Sequence, residues 1–472
     1  MSDKPGHTDR PLAWVAAAED PPPAPASVDV ALDALHDALQ RGQVDAVIDA
    51  GLGAARAGVS PERLAAVVVG CALDRDPVDG WQICLPLVDA LRAGQTQEGL
   101  RRWWPVLQVA TVVAEWASPA AAPVPASTET AGEASPAEVL RLLTERCVDA
   151  GQLAAPVLAA MELAEICGSS LDGRVVGAMQ RAVSSATAAD HPDVAAHRTW
   201  LATVDPHLQG AWQAADEARA ASFHDEKFRR HLVDGQGDAS WRAMMKALAY
   251  GIPGDVLARS LCLAAAERVL RFDAGQDDAL TIAEGWPTMA ALLGHVSAVR
   301  RLRRLIGDAS WLRLLLHATW RVQAAAPLDA PPSQRYALPD PEALRKTWDH
   351  GPEVARVASR TVSRDTDGAI ASMRGYLLMV LPENPLTDQL REVSFLDLGA
   401  TPDAQLAVAA ALSAAIDDFH ALGNHPHRER SLAAALRITT CWRGRRVAHG
   451  LALAAIDRLE LGNRPVAKTA LA

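Results

Sequence analysis

Twelve of the fourteen histidines lie from His191 onward, with only His7 and His36 before them. Imidazole supplies neutral nitrogen ligands to transition metals and moves protons near neutral pH, so any such chemistry is expected in the later part of the chain. His224 and His231 share a helical face, but seven residues separate them by about 10.5 Å along the axis, too far for both to bind one ion. Asp417 and His420, in AAIDDFHALG, have the i, i+3 spacing of carboxylate-bridged di-metal bundles. Asp33 and His36 repeat that spacing, and the further glutamates and second pair of a full centre are not evident. His425 and His427 flank a proline in NHPH, where a solvated turn is the plainer reading. His295 and His317 fall in apolar helical contexts, the ordinary setting of core histidines.

Other chemistries are excluded. There is no P-loop and no dinucleotide fingerprint after a strand, and neither GxSxG nor HExxH occurs. Without Cys-x-His or Cys-x-x-His the chain cannot build its own Rieske cluster or other Fe–S cluster of that kind. Redox work would need a bound metal or electrons from outside.

The elements that position these groups are helices. Alanine and leucine dominate and no alternating segment persists, so the fold is all-α, a pseudo-repeated bundle or array of helix–turn–helix units. Leu39–Ala72 aligns without a gap on Leu232–Ala265 at an offset of 193, placing GVSPERLA on GIPGDVLA. The turn has a physical signature: a glycine able to take positive φ closes one helix, and Ser60, Pro61 and Glu62 cap the next. Gly399 to Asp403 offers a looser third start. With about a dozen residues inserted in copy two, Gly80 and Trp81 match Gly285 and Trp286, and beyond a further small shift Ala110 and Thr111 match Ala318 and Thr319. Four histidines of copy two, His224, His231, His295 and His317, then replace Ala31, Ala38, Leu87 and Val109 of copy one. Apolar counterparts imply that all four positions face inward.

Punctuation divides the chain into a tail (1–27), a first helical block (28–116), a Pro/Ala/Ser/Thr linker (117–134), a block holding copy two (135–340), a C-terminal block (341–461) and a short tail (462–472). A net charge of −11 argues against a nucleic-acid partner, and the one basic run, Arg300 to Arg304, reads as a solvated helix face. The longest apolar run, Leu64–Leu73, is too short for a membrane span. The N-terminus lacks a secretory pattern and the six cysteines form no CxxC, which together point to buried thiols and a cytoplasmic location.

Four segments, GIPGDVLARSLCLAAAERVLRFDAG, EGWPTMAALLGHVSAVRRLRR, LLLHATWRVQAAAPLDAPP and AAIDDFHALG, resemble the helical region associated with bacterial Rieske-type (2Fe–2S) proteins and, more remotely, the questin oxidase-like proteins. The likeness spans most of residues 30 to 460. It implies metal-dependent oxidation of a hydrophobic organic molecule, with iron or another transition metal as cofactor and an electron-transfer protein as partner. Two family positions depart: a histidine expected after Arg271 and Phe272 is Asp273, and a histidine pair expected after Trp286 and Thr288 is Ala290 and Ala291. Asp417, Phe419 and His420 keep the third pattern. A retained metal would need a changed ligand set, for which the candidates are His224, Glu267, Asp273, His295 and His420. The other reading is a non-catalytic scaffold or accessory subunit descended from such an enzyme, with the Trp103–Trp104 couple as an exposed partner anchor.

Overall fold

The computed structural model describes residues 24–116, 135–168, 173–235, 238–275, 285–339, 353–395, 402–442, 455–456 and 459–460. The linker, the C-terminal tail and residues 1–23 of the N-terminal tail named above lie outside them. The fold is all-α: among the described residues there is no strand or sheet, and the only pairing of that kind is an isolated bridge between Phe272 and Asp329. The chain divides into two compact units, residues 1–127 with 395–406 and 444–472, and residues 128–394 with 407–443.

The first unit holds α1 (Val28–Arg41), α2 (Val44–Arg56), α3 (Pro61–Arg75), α4 (Cys84–Gly94) and α5 (Trp104–Glu115). Capping fixes the starts. Ser27 accepts from the Val30 N–H and Ser60 from the Arg63 N–H, each satisfying a donor that the helix leaves orphaned. Every residue from Trp104 to Ala114 is buried, so α5 is the central helix about which the others pack.

The second unit begins with α6 (Pro136–Glu145), whose Ser135 cap accepts from Glu138 N as the capping-box reading requires. There follow α7 (Ala154–Ile166), α8 (Gly173–Ser185), α9 (Pro192–Val204), α10 (Asp225–Asp234), α11 (Ala239–Ala249), α12 (Gly254–Arg271), α13 (Trp286–Leu302), α14 (Trp311–Ala324), α15 (Glu353–Val362), α16 (Thr366–Leu378), α17 (Glu383–Val393), α18 (Pro402–Ala421) and α19 (Glu429–Cys441). The stretch Cys147–Ile166 is long and apolar enough to cross a membrane by length and composition alone, although most of it is buried within this unit.

The duplication read from the sequence is present in three dimensions. Gly58 and Gly251 adopt φ of 88° and 86°, the left-handed turn conformation that any side chain resists. Helices α1 to α5 of the first unit correspond to α10 to α14 of the second, and the same pairs touch in each: first with second, third and fifth; second with third and fifth; third with fourth and fifth; fourth with fifth. The correspondence extends beyond the aligned window. Arg75 of α3 donates to the Val113 carbonyl of α5, and Arg268 of α12, at the same offset of 193, donates to the Val322 carbonyl of α14. Each arginine ties the third helix of the module to its fifth. The third turn expected at 399–401 lies outside the described residues, though a helix does start at Pro402.

Candidate functional site

Two of the four positions read as inward are inward. His295 and His317 are buried, as are their counterparts Leu87 and Val109. His224 and His231 are exposed, whereas Ala31 and Ala38 are buried. The difference is local: His224 sits at the start of α10, and His231 lies on a helix whose inward stripe is Phe228, Arg229, Leu232 and Val233.

Around His295 and His317 the second unit assembles a row of three imidazoles. His317 comes from α14, His295 from α13 and His197 from α9. The Nδ1 of His317 lies 3.3 Å from the Nε2 of His197, and the rings of His295 and His317 meet edge to face with centroids 5.6 Å apart. His317 therefore stands between the other two. On its far side its ring lies against Gly151, where an added Cβ would fall 2.6 Å from Cδ2 and 2.7 Å from Nε2; only glycine admits the imidazole there. His197 stacks on Trp320, centroids 4.9 Å apart and 8° between planes, and contacts Trp200 and Trp241, which stack on each other.

Burial sets the protonation state. Desolvation, with the Arg198 charge second, brings His197 down to about 4. His295 and His317 are likewise held well below the usual histidine range by desolvation, with the Arg321 charge adding to both. All three are neutral at pH 7, each with one donor and one acceptor nitrogen. The hydrogen bond between His197 and His317 uses one nitrogen of each. Among the described residues His197 Nδ1 and both nitrogens of His295 have no hydrogen-bond partner; His295 approaches the Gly151 backbone without reaching bonding geometry.

This row opens on a cleft of about 290 Å³. His317, Trp320 and Arg321 of α14 form one wall, with Leu292, Thr288, Leu328, Asp149 and Gln152 among the residues facing them. A mostly apolar hollow with a few convergent polar groups is the usual form of a small-molecule site.

The remaining sequence candidates are placed elsewhere. Glu267 accepts from Arg271 and pairs with Arg430, in a second cleft of about 220 Å³ lined by Glu226, Asp234 and four arginines. Asp273 follows the end of α12 and accepts from Gly275 N. His420 is exposed at the end of α18, and its i−3 neighbour Asp417 pairs with Arg301 at 2.6 Å. Among the described residues no three His, Cys, Asp or Glu side chains are placed to hold a metal ion, so the five candidates do not form one ligand set and no metal-borne step is derived from them. In the NHPH turn, His425 bonds Asp225 Oδ2 at 3.2 Å and accepts from His427 N, which commits both of its nitrogens.

Two further expectations are corrected. The Arg300–Arg304 run is a solvated face only in part: Arg300 pairs with buried Asp418 at 2.9 Å, Arg301 and the exposed Arg304 converge on buried Glu162, and Arg303 stacks on Trp212. Carboxylates buried in otherwise apolar helices draw these cations inward. The Trp103–Trp104 couple is not exposed. Trp104 is buried, and Trp103 is partly buried and donates its Nε1–H to the Val59 carbonyl.

His197 was missed because it lies outside the repeat. Arg321 was within reach: continuing the Thr111/Thr319 register by two places sets it opposite Val113, which is fully buried.

Comparison with protein-family models, with curated proteins and with solved structures finds no match for this chain.

Proposed function

We propose that this chain is an oxidoreductase-like helical protein that takes a small hydrophobic organic molecule in the cleft beside His317. One observation carries the reading. The duplicated module keeps its apolar packing in the first unit, while in the second the same inward places hold two neutral imidazoles, of which His317 lines a cleft. Behind it, the buried nitrogens of His295 and His197 that have no partner among the described residues cost about 1–3 kcal/mol each, so the imidazole row is better explained by a use at the cleft than by packing. His317 is the imidazole facing that ligand and His197 is the next position along a proton route. Breaking a C–H or O–H bond of the ligand would send its proton to His317 and its electrons to dioxygen or an electron-transfer protein, since the chain has no Rieske motif of its own.

The resemblance to the Rieske-associated and questin oxidase-like proteins points the same way. It also implies a transition metal, and that part is tested apart from the cleft, by measuring iron, manganese, copper and zinc in protein purified without a histidine tag. Stoichiometric metal supports metal dependence, and absence of all four overturns it. Turnover is tested with a panel of aromatic ketones, phenols and quinones, with and without an external electron donor, on the natural protein and on His317→Val. Turnover lost in the variant supports the reading. Binding or turnover by neither protein favours the scaffold alternative, which the burial of Trp104 leaves without its expected anchor.

A further inference from the structure

Arg321 lies one turn after His317 on α14 and faces the same cleft. Most buried guanidinium groups in this unit are matched. Arg268 has Asp329 at 2.6 Å and two carbonyls, Arg300 has Asp418, and each arginine lining the second cleft is paired with a carboxylate. Among the described residues, Arg321 makes neither a hydrogen bond nor an ion pair. Among the described residues the single carboxylate on the wall of its cleft, Asp149, is already taken by Arg198 at 2.7 Å and by the Ala188 N–H at 3.1 Å. Its charge acts on two imidazoles, His295 and His317, whose protonation it opposes. Burial alone pushes the guanidinium down, with no carboxylate acting against it.

Arg321 is half-buried, and a cation set against a mostly apolar wall without a counter-charge is costly. The matching residue of the first unit, Val113, shows that the module packs without one. The side chain therefore has a use that the fold does not supply. Guanidinium presents a planar fork of donors that matches a carboxylate in two parallel hydrogen bonds, and the wall around it is apolar at Leu292, Trp320, Ala325 and Leu328.

We propose that the molecule taken by this cleft is an organic acid, its carboxylate held by Arg321 and its apolar body laid against Leu292, Trp320 and Leu328. This rests on the reading of the cleft beside His317 as the ligand site and adds the charge and head group of the ligand. A bound carboxylate would also neutralise the charge that opposes protonation of His317, making that imidazole a better proton acceptor when the cleft is filled than when it is empty.

The test compares 2-naphthoate with the neutral 2-naphthamide by isothermal titration and by quenching of tryptophan fluorescence. The proteins are the natural chain, Arg321→Gln, Arg321→Lys and Trp320→Phe. The expected result is naphthoate binding about tenfold or more tighter than the amide. That preference should be abolished in Arg321→Gln and partly kept in Arg321→Lys, and the quench reduced in Trp320→Phe. Arg321→Gln should melt no lower than the natural chain, because it removes a charge without a partner. Equal binding of both probes, unchanged by Arg321→Gln, overturns the carboxylate assignment and leaves the cleft reading intact. Binding of neither probe overturns both. A lower melting temperature for Arg321→Gln also overturns the assignment, since it would mean that the guanidinium is partnered within the fold.

Discussion

His317 Nδ1 stands 3.3 Å from His197 Nε2, joining a helix of the duplicated module to one outside it. With both rings neutral, one donates and the other accepts. The bond locks the pair into complementary tautomers and leaves His197 Nδ1 as the open end.

That geometry separates two substitutions that look alike. His295→Leu installs the residue of the first unit at a place where both nitrogens lack partners, so it should stabilise the protein by about 1–3 kcal/mol. His317→Val also installs the first unit's residue, but it strands His197 Nε2 in the core and should destabilise by a similar amount. Urea midpoints of the two variants would move in opposite directions; movement in the same direction would contradict the bonding scheme.

Stability should fall on mild acidification. His197 sits at about 4 when folded against an ordinary 6.5, so between these values the unfolded chain binds the extra proton. Stability is then fully present above pH 6.5 and is lost as pH falls toward 4, by about 3 kcal/mol from this group. His295 and His317 shift in the same direction. Melting temperature against pH should be flat above 7 and slope below 6.5, less steeply in His197→Phe. A profile level from pH 7 to 5 would rule this out.

Gly151→Ala places a methyl group where the His317 ring lies. Overpacking of this kind costs about 1–3 kcal/mol. It should weaken ligand binding at the cleft as well, because relief requires His317 to turn away from His197. Titration of the variant with the ligand of the natural chain would show the loss; unchanged affinity would place the ligand elsewhere.

Arg300→Met removes the partner of Asp418, which also accepts from Ser297 Oγ at 2.9 Å in a fully buried setting. An uncompensated carboxylate in the core should cost about 3–5 kcal/mol. Arg41→Met, at an exposed pair with Asp37, should cost less than about 1 kcal/mol. Denaturant unfolding of the two variants gives the contrast.

Much of the architecture was legible in the sequence. Helical periodicity, the Ser60 and Ser135 caps and the paired glycines Gly58 and Gly251 are local features, governed by backbone sterics and by orphaned donors within one turn. The sequence therefore determined the all-α class, the duplicated helix–turn–helix and the asymmetry that points to the second copy. Tertiary structure decided which of those histidines matter. His224 and His231 align with buried alanines yet point to solvent, because register along a helix does not fix which face its neighbours cover. It also brought in His197 from 120 residues away, turned an arginine run into an ion-pair lattice around Glu162 and Asp418, and left Arg321 without a partner among the described residues. Pairing across the core depends on which helices touch, and spacing along one helix does not carry that information.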